Sequence, residues 1–208
     1  MYERQQYERS PVLMQAGWVT WTVLILCLIV TLSTWIGTNS LTNWLRWSPR
    51  DIAAGQWWRT ITPAFLHFKS FDSLISHFLF NALWWLTLGG LVETREGSIR
   101  LILLFLLAAV IGNTVGGYFY GSYFGGLSGV CFALIGYTWL RGFQIATYRE
   151  VVKPGLFYAS ILFMFAGFCH LIGNMADWVH LAGLATGLLV ALPFYLVTTR
   201  WPQRQEQE

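Results

Sequence analysis

The stretch Gly-Gly-Leu-Ser-Gly-Val-Cys-Phe-Ala, residues 125–133, is a turn of small residues that delivers Ser128 to the start of an apolar helix. A serine in a glycine-rich turn is accessible to other side chains and to a ligand, so Ser128 is a candidate nucleophile. A G-x-S-G sequence also occurs by chance in many proteins. The rest of the chain has to decide whether this serine has a chemical role.

The composition places that helix in a membrane. Of the 208 residues, 55% are hydrophobic and only 11% are charged, which is more apolar surface than a soluble domain of this size can bury. We therefore predict an all-α integral membrane protein. The formal net charge of +3 is small and the basic residues lie between apolar runs, so nucleic acid is not expected as a partner.

The cysteines point to packing rather than to chemistry. Cys27, Cys131 and Cys169 all lie inside apolar segments, where a cysteine behaves as a small buried hydrophobe. Their spacing matches no metal-binding pattern. We expect neither a metal nor another cofactor.

Apolar segments divide the chain into a bundle of six transmembrane helices. The predicted spans are residues 17–36, 74–92, 99–120, 128–143, 155–173 and 178–198. They form one membrane domain over residues 17–198, with polar tails at 1–16 and 199–208. No A-x-A-like cleavage site follows the first span, which is therefore interpreted as an uncleaved signal anchor. No internal repeat is evident, which disfavours an inverted-repeat transporter.

A long first loop, residues 37–73, separates the first two spans. It interleaves tryptophans with arginines, a composition typical of the membrane interface. A connection of this length rarely lacks structure of its own, so we expect short helices lying partly among the lipid headgroups.

The basic residues predict the orientation. With a cytoplasmic N-terminus, nine of them fall on the inside and four in the long first loop outside, which favours two cytoplasmic termini. The inside residues are Arg4, Arg9, Arg95, Arg100, Arg141, Arg149, Lys153, Arg200 and Arg204, and the outside residues are Arg46, Arg50, Arg59 and Lys69.

This topology brings four polar residues to one depth. Spans 2, 4 and 6 all begin at the outer face, and close to their starts lie His77 and Asn81, Ser128, and His180, respectively. Polar groups inside a membrane are costly unless they find partners, and ionisable ones there are candidates for function. The alternative is that they only form interhelical hydrogen bonds that hold the bundle together.

Small residues offer the serine and one histidine a route to each other. His180 lies on the same face of its helix as two glycines, and Ser128 is followed by a matching face of small residues, so the two backbones can approach closely. These small residues are Gly183 and Gly187 on the last span and Gly129, Ala133 and Gly136 on the fourth. Packed together, the faces place Ser128 beside His180, whose imidazole can take and return the hydroxyl proton.

The remaining histidines receive other predictions. His67, among polar and aromatic neighbours, is expected at the surface. His170 has a suitable depth for a base but no flanking small-residue face, and ranks second to His180. His77 and Asn81 are one helical turn apart and can point to one spot. They suit the stabilisation of a developing oxyanion, together with the backbone N–H of Ser128 at its helix N-terminus.

These residues occur in an ordered set of motifs that resembles a known family. The motifs are His77-x3-Asn81, Gly126-Leu127-Ser128-Gly129 and His180-x2-Gly183-x3-Gly187. In this order across six spans they resemble the rhomboid family of intramembrane serine proteases. Trp58-Arg59 in the first loop and residues 89–93, Gly-Gly-Leu-Val-Glu, are similar to the bacterial GlpG-type members. The likeness runs from Trp57 to Ala191.

The resemblance implies a role for each residue. Ser128 is the nucleophile, His180 the general base and acid, and His77 with Asn81 stabilise the oxyanion. Supporting positions are Gly126, Gly129, Phe132, Gly183 and Gly187. Such enzymes use a dyad without an acidic third member, so Asp177 receives no role.

Two positions depart from the family pattern. Phe132 stands where a tyrosine usually stacks on the catalytic histidine, and Val179 where an alanine usually precedes it. The loop between His67 and His77 is also longer. None of these changes removes a residue with an implied catalytic role.

The implied activity is hydrolysis of single-pass transmembrane proteins near the outer membrane face, with substrates and lipids as partners and no obligate protein partner. The implied location is the bacterial inner membrane. The alternative is a non-catalytic rhomboid-like protein that binds transmembrane helices, and a transporter ranks third.

Overall fold

The computed structural model describes residues 16–68, 75–173 and 175–200, and all regular structure in these ranges is helical. The predicted all-α class is therefore correct. Most of the two predicted tails, residues 1–15 and 201–208, and residues 69–74 of the first loop lie outside the described residues.

A helix covers each of the six apolar segments. The helices are α1 (Trp18–Ser33), α2 (Ser40–Leu45), α3 (Pro49–Ala53), α4 (Ser76–Trp84), α5 (Gly90–Glu96), α6 (Ser98–Tyr120), α7 (Ser128–Arg141), α8 (Ala146–Val151), α9 (Pro154–Phe168) and α10 (Asp177–Arg200). A π-helical turn, Trp85–Gly89, joins α4 to α5 without a break. By length and composition α6 and α10 can cross a membrane, and α1 and α9 are shorter apolar helices.

The first loop contains the short helices that its length predicts. The Asn39 side chain caps α2 by accepting the Leu41 N–H, and Ser48 caps α3, whose first residue is Pro49. Two 3-10 turns, Trp57–Thr60 and Thr62–Phe65, follow. The loop is thus a folded unit, and several of its last described residues, including Ala64 and Leu66, are buried.

One buried arginine holds this loop together. The Arg59 guanidinium donates to the carbonyl oxygens of Asn43 and Arg46, at 2.6 and 2.9 Å, and to the Gln56 side chain at 2.7 Å. It also pairs with Asp51 at 3.5 Å. The planar fork of arginine suits such a set of acceptors, so Arg59 cross-links segments that share no regular structure.

Helix α7 is the centre of the bundle, with residues 129–138 all buried. Its close neighbour is α10, and the small-residue faces meet as their spacing predicts. A methyl group added to Gly183 would overlap the carbonyl oxygen of Gly129, and one added to Gly187 would overlap that of Ala133. The two backbones are therefore in direct contact over two helical turns.

A carboxylate caps α1 from another helix. Glu93 of α5 accepts the backbone N–H groups of Val19 and Thr20 at 2.9 and 2.8 Å, and the hydroxyls of Thr20 and Ser98 at 2.7 and 2.8 Å. The first N–H groups of a helix have no partner within it, so a buried helix start needs such acceptors. Glu93 thereby ties α1 to the beginning of α6.

A second carboxylate joins three elements at the same end of the bundle. Glu96 of α5 accepts the hydroxyls of Tyr137 on α7 and Tyr148 on α8, both at 2.7 Å, and pairs with Arg141 at 3.1 Å. Burial, and then the nearby charge of Glu96, raise the pKa of Tyr148. Tyr148 therefore acts as a neutral donor.

Replacement of Glu93 should destabilise the fold in a pH-dependent way. Glu93→Gln removes the charge from hydrogen bonds that stabilise α1, and is expected to lower the free energy of unfolding by about 2 kcal/mol. Denaturant unfolding in mild detergent measures this. Glu150→Gln, an exposed position on α8, is the matched control and should change little.

The stabilisation by Glu93 should be lost at low pH. Burial by itself raises the pKa of the Glu93 carboxyl, but hydrogen bonds from Thr20, Val19 and Ser98 outweigh it and hold the pKa below its ordinary value. The stabilisation is complete above about pH 4.3, the ordinary value, and is lost as the pH falls through the lower folded-state value. A wild-type acid transition equal to that of Glu93→Gln would contradict this account.

The α7–α10 contact makes a second prediction. Gly183→Ala forces a methyl group against the Gly129 carbonyl, so the helices must separate, at an expected cost of about 1 to 3 kcal/mol. The same unfolding assay measures the change. Gly155→Ala on α9 is the control, because an added methyl group there meets no atom within 4 Å. Equal stability of the two variants would mean that the backbones are not in contact.

Candidate active site

The turn before Ser128 adopts a conformation that requires glycine. Gly126 has a φ of +118°, in the left-handed region, and its N–H donates to the Pro63 carbonyl at 2.9 Å. A methyl group there would also lie 2.6 Å from His77 Nε2. The turn is thus anchored to the first loop on one side and packed against His77 on the other, and Ser128 follows as the first residue of α7.

Ser128 and His180 are in hydrogen-bond contact. The distance from Ser128 Oγ to His180 Nε2 is 2.9 Å. His180 is 2% exposed, and its ring stacks on Phe132 with centroids 4.8 Å apart and planes 22° from parallel. The packing of α7 on α10 therefore delivers a serine hydroxyl to a buried imidazole whose plane is held by an aromatic ring.

His77 and Asn81 reach the same turn from α4. His77 Nδ1 lies 3.4 Å from the Phe68 N–H and 3.3 Å from its carbonyl oxygen, which leaves Nε2 facing Gly126. Asn81 is 1% exposed, and neither Nδ2 nor Oδ1 has a hydrogen-bond partner among the described residues. A buried amide without a partner is costly, so this side chain is set to bind something else.

A cavity connects these groups. It has a volume of about 460 Å³ and is lined by His77, Asn81, Ser128 and His180 together with aromatic side chains. A smaller cavity of about 160 Å³ adjoins it between α4 and α9, where the Phe80 and Phe163 rings stack 6.1 Å apart. The polar groups from three helices therefore line one cavity.

The side chain of Val179, one of the departures from the family pattern, packs against glycines of two neighbouring helices. Its side chain contacts Gly116 of α6 and Gly129 of α7 so closely that a methyl group on either would lie 2.7 Å from a Val179 methyl carbon. The larger residue therefore fits without separating the helices.

The surface position predicted for His67 is wrong. The side chain is 1% exposed, its Nδ1 lies 3.2 Å from Thr31 Oγ1 and 3.1 Å from the Phe65 carbonyl oxygen, and its ring packs edge-on against His77 at 5.1 Å. Burial, and then the neighbouring His77, lower the pKa of His67 to about 3, so it is neutral at physiological pH. This part of the first loop therefore packs between α1 and α4, which its polar composition did not indicate.

Two further residues near the site are His170 and Asp177. His170, the second candidate base, is exposed and lines the large cavity, but His180 is the histidine in contact with Ser128. Asp177, which received no role, is buried with Oδ1 3.8 Å from His180 Nδ1. The i, i+3 spacing of Asp177 and His180 was the one sequence signal for this proximity.

A comparison with known families identifies the family of the chain. A family model described as the Rhomboid domain matches residues 54–196, which is more than half of the chain. The match begins in the first loop and ends within α10, so it covers every residue that faces the turn at Gly126. The chain therefore belongs to the rhomboid family, whose members are generally intramembrane serine proteases.

Proposed function

We propose that the protein is an intramembrane serine endopeptidase that hydrolyses single-pass transmembrane proteins near the outer membrane face. The observation that carries the proposal is the 2.9 Å contact between Ser128 Oγ and His180 Nε2 at the edge of a cavity that both residues line. Membership of the rhomboid family supports the reaction class. The proposal requires no metal or other cofactor.

In the proposed reaction His180 Nε2 takes the Ser128 hydroxyl proton while Oγ attacks a peptide carbonyl. The protonated imidazole then gives the proton to the leaving amine, and an acyl-enzyme forms. Water enters from the outer side, gives a proton to His180 Nε2 and attacks the ester carbonyl. The imidazolium then returns this proton to Ser128 Oγ as the carboxylic acid product leaves. Phe132 keeps the imidazole plane fixed through stacking alone, because a phenylalanine has no hydroxyl.

The negative charge of the tetrahedral intermediate needs donors that are already in place. The proposed donors are Asn81 Nδ2, His77 Nε2–H and the N–H of Ser128, which begins α7 and so has no acceptor within that helix. Donors fixed before the reaction stabilise charge at the moment it develops, without reorganisation.

The substrate must present an extended segment, because a helical peptide hides its carbonyl groups. The second cavity, between α4 and α9, adjoins Ser128 from the side and suits an apolar segment arriving through the lipid. The distribution of basic residues supports a proposed orientation with both termini in the cytoplasm. The proposed location, the bacterial inner membrane, rests on the resemblance to the bacterial GlpG-type members. The proposal needs no obligate protein partner.

Loss of the Ser128 hydroxyl should abolish the activity. Purified wild-type protein is expected to cleave a transmembrane reporter with a destabilised helix and to be labelled by a fluorophosphonate probe. Purified Ser128→Ala should cleave the reporter only at the background rate and should not be labelled. Ser122→Ala is the matched control: that hydroxyl, in the same loop, donates to the Trp47 carbonyl at 2.6 Å. It should retain cleavage.

Cleavage by Ser128→Ala at the wild-type rate would refute the nucleophile assignment. A folded wild-type protein that is neither labelled nor active, yet retains the reporter on a pull-down, would instead favour the non-catalytic alternative that binds transmembrane helices.

The oxyanion role predicts a kinetic signature for Asn81. Asn81→Ala should lower kcat by about 100-fold with little change in KM, because the amide acts in the transition state. Asn113→Ala is the control: its amide donates to the Thr60 carbonyl at 2.9 Å, so its loss should lower stability without a selective effect on kcat. A rise in KM alone in Asn81→Ala would assign this residue to substrate binding.

A further inference from the structure

We propose that a polar cavity in the first loop binds the phosphate group of an anionic phospholipid. The cavity has a volume of about 570 Å³ and is separate from the two cavities that Ser128 lines. The turn after α1, helix α2 and the segment between α6 and α7 form its walls. Its lining includes Asn39, Thr42, Asn43, Arg46, Phe68 and Tyr123.

Arg46 brings a positive charge to this cavity. Its carbonyl oxygen accepts a hydrogen bond from Arg59 at 2.9 Å, but its guanidinium forms no ion pair or hydrogen bond with a described residue. The carboxylate nearest in sequence, Asp51, pairs with Arg59 instead, at 3.5 Å. The planar guanidinium matches the oxygens of a phosphate group, which it can bind through two hydrogen bonds. The charge and the shape of Arg46 therefore favour a phosphate ligand.

The hydroxyl of Thr42 is a second group in the cavity wall that needs a partner. Thr42 is 6% exposed, and its Oγ1 has no hydrogen-bond partner in the part of the chain that the structure describes. The Arg46 N–H donates to the Thr42 carbonyl at 2.9 Å, so the two side chains belong to neighbouring turns of the same segment. A buried hydroxyl without a partner is costly, and an oxygen acceptor next to Arg46 removes that cost.

The cavity lies at the end of an apolar surface. Trp35 and Trp44, on either side of it in the sequence, are 74% and 61% exposed, as is typical of tryptophans at the level of lipid headgroups. The turn after α1 forms one wall of the cavity with Gly37. Exposed apolar side chains share one face of α1 below this turn: Ile25, Leu28, Ile29 and Leu32. A phospholipid with its acyl chains along this face has its phosphate at the level of the cavity, which favours a lipid over a free phosphate ion.

Two aromatic side chains separate this cavity from the large cavity at Ser128. Phe68 and Tyr123 line both spaces, and the Phe68 ring packs so closely on Gly37 that a methyl group there would overlap it. A substrate segment that passes these rings reaches Arg46, so an acidic peptide is the competing ligand. A peptide leaves the exposed face of α1 uncovered, whereas a phospholipid covers it.

Native mass spectrometry of the full chain in detergent measures the binding. The two probes are phosphatidylglycerol and a galactosyl diacylglycerol with the same acyl chains, which has no phosphate. Wild type should bind phosphatidylglycerol more tightly, and Arg46→Gln should bind it about 10-fold more weakly because charge-assisted hydrogen bonds are lost. Arg50→Gln removes the same charge from an exposed position of α3 outside the cavity and should bind like wild type.

Thr42→Val is expected to have opposite effects on stability and on binding. Without lipid the variant should be at least as stable as wild type, because it loses a buried hydroxyl that has no described partner. Its affinity for phosphatidylglycerol should fall about 3-fold, the range of one neutral hydrogen bond. Denaturant unfolding with and without the lipid measures both, since a ligand of the folded state stabilises it. Lower stability without lipid at unchanged affinity would contradict the role of this hydroxyl.

Three other results would overturn the inference. Equal affinity for the two lipids, or equal losses in Arg46→Gln and Arg50→Gln, would leave only a general attraction between basic residues and anionic lipid. Displacement of phosphatidylglycerol by inorganic phosphate, but not by sodium chloride at equal ionic strength, would assign the cavity to a soluble anion. Unchanged lipid binding by Arg46→Gln, with a raised KM for a reporter that carries acidic residues beside its helix, would assign it to the substrate. The binding assay needs no proteolysis, so a failure of the proposed function leaves it interpretable.

Discussion

The contact of α7 with α10 at Gly129 and Gly183 is the interaction on which the site depends. Helix axes that carry ordinary side chains stay 8 to 10 Å apart, and glycine is what lets these two come closer. Ser128 and His180 lie at the starts of those helices, so the distance between their side chains is determined by the backbone contact. The Oγ to Nε2 distance of 2.9 Å is therefore a property of the whole helix pair.

The remaining elements keep that pair in place. Glu93 fixes the start of α1 and Glu96 joins α5, α7 and α8, both through charge-assisted hydrogen bonds at one end of the bundle. At the other end Arg59 ties the first loop together, and the Pro63 carbonyl holds Gly126. Each cluster provides hydrogen-bond partners for polar groups that neither lipid nor the helix itself could pair. Apolar packing and these polar contacts therefore act on different parts of the fold.

Much of this could be predicted from the sequence. The prediction that His180, Gly183 and Gly187 share one face of their helix could be made from their spacing, because helix periodicity is the same in any context. The surface position predicted for His67 is wrong because the burial of a loop residue depends on where the loop folds, and its neighbours in sequence are not its neighbours in space. The cap that Glu93 provides for α1 joins residues more than 70 positions apart, which no local pattern encodes.

The unpaired side-chain amide of Asn81 affects which ligands the cavity can bind tightly. Its amide is desolvated on folding and left without a partner among the described residues, so the energetic cost of that burial is already part of the stability of the free protein. A bound molecule that places a negatively charged oxygen between this amide and the N–H of Ser128 recovers the cost as affinity. Compounds that mimic a tetrahedral adduct should therefore gain from this position, whereas a purely hydrocarbon ligand that fills the same cavity leaves the amide unpaired.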